Sequence, residues 1–484
     1  MNIRMTFNLL GRTVLCEAAL MAVSLVVGLI YGDSVLGFAA AIGIALLFGT
    51  VCLLIKPAST AIYAREGFVV CALSWIVLSL IGAVPFVIEG MIPNYIDAFF
   101  ETVSGFTTTG ASILEDFENA GRHGLFFWRS LTHYIGGMGV LVFMLAIMPT
   151  ASESSMQLMR AEVPGPKVGK LVPKIKKTAI ILYAIYVAIT LLEIILLLFG
   201  GMNLFEAVTH AFSTAGTGGF SNRADSIAGY SPYIQYVISV FMLIFAVNFS
   251  LYYLILIRQW KAAVKNEELR WYIIIVALAI LFISIDSRDM FASTEETVRA
   301  SLFQVSSFIS STGFLTVDPV YFSPFSQMVI FALMFIGACA GSTGGAMKVS
   351  RIAILIKSFI NEIKRMLRPR EVLKVRMDGK PLVNEVVHSV AMFFGMYMFI
   401  VMISMLIVSL DGFGIATTAS AVASCMGNMG PGLWQGSCYA QFSYLSKIVL
   451  SLDMLLGRLE ILPIIMLFVP GVWKFGKKSS KVID

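Results

Sequence analysis

The sequence predicts an all-α integral membrane fold: an N-terminal transmembrane hairpin followed by four repeats of span, short helix, Gly-containing loop and span, about ten spans in all. Three observations predict it. Of 484 residues, 58% are apolar and 13% charged, with a mean hydropathy of +0.85. A soluble chain is about half apolar and roughly a quarter charged. The apolar runs are long and continuous rather than short and alternating, which excludes a transmembrane β-barrel. A short Gly/Thr/Ser run also recurs at four matching points in the chain.

Taken in order, residues 13–31 and 36–55 form the first hairpin, read as retained spans because no small-residue cleavage site follows. Residues 68–89, 125–149, 178–200, 233–257, 271–285, 325–358, 384–409 and 440–470 supply the remaining spans. Between members of each later pair lies a short helix, at about 95–106, 204–212, 295–308 and 413–424, too short to cross a bilayer. The expected units are a hairpin over 1–60 and repeats over 61–160, 161–265, 266–380 and 381–484.

Charge placement sets the sidedness. Arg160, Lys167, Lys170, Lys174, Lys176 and Lys177 crowd one loop, and Arg258, Lys261, Lys265 and Arg270 a second. The most basic loop has Lys364, Arg365, Arg368, Arg370, Lys374, Arg376 and Lys380. By the positive-inside rule these loops and both termini are cytoplasmic. The short-run loops then face outward. Glu89, Asp97, Glu101, Glu115, Asp116, Glu118, Asp225, Asp286, Asp289, Glu295, Glu296 and Asp318 flank them: together an acidic vestibule that would concentrate cations, and each taken singly a solvated acid that keeps its loop soluble.

Enzymatic and metal chemistry find no support. The six cysteines show no CxxC spacing, the four histidines no HExxH, and no phosphate-cradling G-x-x-x-x-G-K-[ST] is present. No nucleic-acid partner and no covalent cofactor are expected.

The repeat aligns without gaps on Gly110, Gly219, Gly313 and Gly430. Six residues before each stands a serine: Ser104, Ser213, Ser307 and Ser424. Two residues before each stand Thr108, Thr217, Ser311 and Asn428, all small hydroxyl or amide side chains. Dehydrating a cation needs a ring of oxygens, which backbone carbonyls supply where the loop can turn them inward. Glycine permits the dihedrals this needs. A half-helix that stops inside the membrane also points its negative dipole end at a cation.

These motifs carry a resemblance: Thr107-Thr108-Thr109-Gly110, Ser213 through Phe220, Ser311-Thr312-Gly313-Phe314, Asn428-Met429-Gly430-Pro431-Gly432, the Gly337–Lys348 stretch and Gly457-Arg458-Leu459-Glu460. The chain resembles the Trk/Ktr/HKT superfamily of potassium transporters, and within it the bacterial Trk potassium-uptake membrane subunit. The resemblance covers essentially the whole chain. It implies a pseudo-four-fold pore within each subunit and a homodimer in the bacterial inner membrane. It also implies control by a cytoplasmic nucleotide-binding regulatory subunit, for which the 360–380 segment is the expected dock. The transported ligand is then K+, and the expected filter comprises Thr107, Thr108, Thr109, Gly110, Gly216, Thr217, Gly218, Gly219, Ser311, Thr312, Gly313, Asn428, Met429 and Gly430. The ion would sit at Thr108, Thr109, Thr217, Gly218, Ser311, Thr312, Asn428 and Met429. Asn428 and Met429 depart from the hydroxyl pattern of the other loops, and Gly110 matches the potassium type rather than the serine of sodium-preferring plant relatives.

Two further features lie inside the membrane. Residues 325–358 exceed the roughly 20 that a span needs, and their glycine density should break the helix. The expected gate comprises Gly341, Ser342, Thr343, Gly344, Gly345 and Lys348, with Arg458 as an electrostatic barrier below the filter. Arg458 and Glu460 are two apart and so do not share a helix face. The competing reading is an H+- or Na+-coupled K+ symporter using Glu193 or Asp453.

Overall fold

The structure, a computed structural model, describes residues 2–56, 64–115, 122–139, 175–371 and 373–473. The basic loop at 151–177 up to Lys174, the carboxylates Asp116 and Glu118, the end of the 125–149 span and the lysine-rich tail from Lys474 onward lie outside the described residues.

Helices Ile3–Tyr31 and Leu36–Leu54 form the N-terminal hairpin. They approach closely because Gly11 sits against Cys52 and the Gly49 carbonyl, where a Cβ would stand 2.7 and 2.8 Å away. Four times thereafter the chain runs long outer helix, short pore helix, loop, inner helix. The outer helices are Ala64–Gly82, Ile175–Phe199, Glu267–Asp286 and Asn384–Val408. The pore helices are Tyr95–Phe106, Leu204–Gly216, Thr294–Ile309 and Ile415–Gly427. Asn94, Asn203 and Ser293 cap the first three by accepting from N–H groups of the first turn. Gly414 gives the fourth no side-chain cap.

Among the described residues, six helices are each long and apolar enough to cross a membrane alone: the hairpin pair and the four outer helices. Within the first outer span 67% of the apolar window is buried, against 22–28% in the other three. The hairpin packs over the first repeat. The other three outer helices present Leu191, Phe199, Ile273, Phe282, Phe399 and Leu406 outward, a surface suited to lipid.

The four remaining expected spans are the inner helices, and the described parts are short or broken. The first is described as His123–Met138. The second, expected as one span over 233–257, turns by 91° between Pro232–Phe245 and Phe249–Leu256. The third divides into Pro324–Ile336 and Val349–Leu367, as its glycines predict. The fourth, expected as 440–470, stops at Arg458 and restarts at Leu462. There Glu460 and Ile461 take left-handed φ of 56° and 68°, and Pro463 offers no N–H to continue the ladder. The second break has a tertiary cause. Ala246 O accepts from Cys339 N and Phe249 N donates to Gly341 O, both at 3.0 Å. The glycine-rich loop of the third repeat thus satisfies backbone groups freed by the bend in the second.

Candidate ion-conduction site

The four pore helices end in the same way. Thr109, Gly218, Thr312 and Met429 each donate their N–H to the carbonyl of the serine five positions back, all at 2.9 Å. The preceding residues, Thr108, Thr217, Ser311 and Asn428, donate to the carbonyls of Gly105, Thr214, Phe308 and Cys425 at 2.9–3.3 Å. This pair of bonds is a Schellman motif, and it requires a left-handed residue at the inner position. Thr108, Thr217, Ser311 and Asn428 supply it with φ of 53°, 57°, 60° and 54°. Glycine or asparagine normally sits there. A β-branched threonine in that conformation stores strain of about 1–2 kcal/mol. The serines read in the sequence as register marks are therefore the acceptors that close each helix.

Two residues on, the anchor glycines also have positive φ: 80° at Gly110, 74° at Gly219, 83° at Gly313 and 95° at Gly430. Their neighbours close a cycle. A Cβ on Gly110 would collide with the carbonyl of Gly218, on Gly219 with that of Thr312, and on Gly313 with that of Met429. On Gly430 it would lie 2.6 Å from the carbonyl of Thr109. Each loop faces the next through the residue just before its anchor, and the fourth returns to the first. Every expected filter residue falls on this cycle of four loops. Asn428 adds a side-chain tie, its Nδ2 donating to Thr109 Oγ1 at 3.0 Å and to Met454 O at 2.9 Å. Thr107 and Thr109 share a hydroxyl bond of 2.8 Å, and Ser310 and Thr312 one of 2.7 Å. The facing second and fourth loops carry Gly216 and Gly427 at the matching position.

The glycine-rich loop lies against the inner side of this cycle. Gly345 N donates to Ser311 Oγ at 2.6 Å, and Gly345 itself abuts the Gly427 carbonyl. Thr343 Oγ1 donates to Phe245 O at 3.2 Å. Lys348 Nζ donates to Gly344 O, folding the loop onto itself. Arg458, from the fourth repeat, donates to Thr343 O at 2.6 Å, to Gly137 O at 2.7 Å and to Gly136 O. Thr343 belongs to the third repeat and Gly136 and Gly137 to the first, which stand opposite each other in the cycle. A small cavity beneath is lined by Gly344, Gly345, Lys348, Gly457, Arg458 and Glu460. Of the expected gate residues, Gly344, Gly345, Lys348 and Arg458 line this cavity and Thr343 holds Arg458, while Gly341 meets Asn248 and Phe249 at the bend of the second inner helix and Ser342 Oγ donates to Cys339 O at 2.6 Å within the loop. Glu460 pairs with Arg351 at 2.7 Å.

The acidic vestibule needs correction. Asp97 pairs with Lys447 at 2.7 Å and Glu101 with Arg129 at 2.7 Å. Glu89 accepts from Gly37 N at 2.6 Å, Asp318 from Gly436 N at 2.8 Å, and Asp286 from Ser326 Oγ at 2.5 Å. These five carboxylates hold helices and loops together and are not a free acidic funnel, while Glu115, Asp225 and Asp289 of the same set are exposed. Sequence reasoning missed Gly136 and Gly137, whose carbonyls receive Arg458. It also missed Glu268, whose Oε1 accepts from Ala340 N at 2.7 Å and Ser350 N at 3.1 Å and so clasps both ends of the loop. Glu268 had a signal, being an acid at the start of an apolar helix, but nothing in the sequence names its partners.

The family model TrkH, described as "Cation transport protein", matches residues 36–474. The Trk system potassium uptake protein TrkH of Salmonella typhimurium is 35% identical over 424 residues, covering 85% of this chain and 86% of that protein. Its namesake in Halomonas elongata is 33% identical over 490 residues, covering 98% and 100%. The crystal structure of the potassium transporter TrkH from Vibrio parahaemolyticus matches with a TM-score of 0.87 at 31% identity, over 98% of this chain and 100% of that one. With its four closed loops and helical spans, this chain is a multi-pass membrane protein and belongs to the TrkH family of cation transport proteins.

Proposed function

We infer that the chain takes up potassium across the bacterial inner membrane through a single-chain filter made by its four loops. The observation that carries this is the cycle of anchor glycines, each against the carbonyl of the next loop. A ring of backbone oxygens replaces the hydration shell of a cation as it enters. Thr108, Thr109, Thr217, Gly218, Ser311, Thr312, Asn428 and Met429 would hold the ion. The relatives named as potassium transporters support K+ as the substrate. The units 1–60, 61–160, 161–265, 266–380 and 381–484 act as a hairpin and four pore repeats. Loop residues Gly341 to Gly345 with Lys348 form the gate, and Arg458 is the barrier beneath it.

The working unit is a homodimer with both termini cytoplasmic. A cytoplasmic nucleotide-binding subunit moves the gate by docking on the basic 360–380 segment, where Lys364, Arg365, Arg368 and Arg370 are exposed. Of the two carboxylates that the coupled-symport alternative would use, Asp453 accepts through Oδ1 from Ser404 Oγ at 2.7 Å on the outer helix of its own repeat, and Glu193 is buried on the second outer helix.

The test is isotope flux into liposomes of the purified chain, at fixed electrical potential, with and without a proton or sodium gradient. Saturable K+ flux that follows the electrical potential alone is the expected result. Flux that requires either gradient overturns the reading in favour of symport.

A further inference from the structure

Behind the loops lies a set of contacts that the sequence alignment does not display. Nine residues before the four anchor glycines stand Glu101, His210, Gln304 and Ala421. The first three reach across to the chain as it leaves its own loop. Glu101 accepts from Ser112 Oγ and Ile113 N, both at 3.0 Å. His210 Nε2 bonds Ser221 Oγ at 3.1 Å, and Gln304 Nε2 donates to Val317 O. Ala421 has no side chain to do this; in the fourth repeat its neighbour Ser420 accepts through Oγ from Leu433 N at 3.0 Å, and Tyr439 Oη donates to Gly430 O at 2.8 Å.

Only the first of these struts is ionic. Glu101 and Arg129 are 1% and 2% exposed. Arg129 also reaches past its own loop: Nη2 donates to Ser112 Oγ at 3.2 Å, Nη1 donates to Ser221 O at 3.3 Å, and the guanidinium lies 3.9 Å over the Phe220 ring. The pair therefore ties the exit of the first loop to the exit of the second. A charge pair closed by neutral acceptors and donors in a dry interior holds its geometry stiffly.

We propose that the Glu101–Arg129 pair is a specificity-determining strut, which keeps the first and second filter loops at the spacing on which discrimination of K+ from the smaller Na+ depends. It rests on the four-loop filter reading above. Glu101 and Arg129 are positioning residues: they act through Ser112, Ile113, Phe220 and Ser221 and do not themselves line the ring.

The test measures the K+/Na+ flux ratio of the purified full chain in liposomes at fixed electrical potential. Removing one charge of a buried pair can prevent folding. The variants are therefore the double Glu101→Gln/Arg129→Gln, the charge-preserving Glu101→Asp, and the mild Ser112→Ala, with Gly110→Ala as the control for the ring. Ser112→Ala and Glu101→Asp should lower the ratio about threefold and the double variant about tenfold, with detergent-soluble monodisperse protein recovered in each case. A merely structural role would lower total flux and leave the ratio alone. An unchanged ratio in Ser112→Ala and Glu101→Asp, with Gly110→Ala altered, overturns the strut while leaving the filter intact. An unchanged ratio in Gly110→Ala as well overturns both.

Discussion

Arg458 donates to the Thr343 carbonyl at 2.6 Å while holding the Gly137 carbonyl at 2.7 Å on the opposite repeat. A single guanidinium thus spans the space under the four loops and pins the glycine-rich loop in place. A cation leaving the ring would meet a fixed positive charge, worth roughly 2–3 kcal/mol at about 6 Å in a medium of intermediate polarity. Arg458→Ala should raise K+ flux in liposomes about tenfold or more. Flux equal to wild type, at equal protein incorporation, removes the barrier role.

Glu268 clasps the other side of that loop through Ala340 N and Ser350 N. Bonds to a charged acceptor contribute about 1.5–3 kcal/mol each. In Glu268→Ala both loop ends lose their anchor, and basal flux measured without any partner subunit should rise several-fold, about the effect of a small shift in a closed–open equilibrium. A fall in flux with intact protein would mean that the clasp serves the open form.

Glycine at position 219 meets two constraints, a φ of 74° and the Thr312 carbonyl in the path of a Cβ. Gly201 has a φ of 93° but nothing within 4 Å of a Cβ. Gly219→Ala should cut flux by more than about tenfold, whereas Gly201→Ala carries only the left-handed strain of about 1–2 kcal/mol and should leave flux near wild type. Equal effects in the two variants would place the requirement on backbone strain and not on loop-to-loop approach.

The Arg351–Glu460 pair joins the helix after the glycine-rich loop to the break below Arg458, and Arg351 also lies 4.1 Å over Phe393. In a double-mutant cycle read by thermal melting in detergent, Arg351→Gln and Glu460→Gln should each lower Tm, with a coupling of about 1–2 kcal/mol. Strict additivity would show that the pair contributes nothing of its own.

Much of this was legible in the chain. The apolar runs and the placement of glycine and serine gave the hairpin, the four repeats and the register of the loops. Ser104, Ser213, Ser307 and Ser424 line up by counting alone, and the structure explains why: each closes a helix of constant geometry. The density of glycine between Gly337 and Gly345 likewise announced a broken helix, because glycine weakens a helix wherever it sits.

The pairings were not legible. Glu101 and Asp97 read as solvated acids because a carboxylate carries no mark of its partner, and Arg129 and Lys447 are remote in sequence. The 91° turn after Phe245 has no proline or glycine at the break; it forms where Cys339 N and Gly341 O take the freed backbone groups. The sequence by itself determined what is local and periodic: the helical spans, the short helices between them, the broken stretch at Gly337–Gly345 and the four-fold register. The tertiary structure alone decided which carbonyl each glycine faces, where Arg458 reaches and which carboxylates are paired, since these depend on distances between segments that no local propensity encodes.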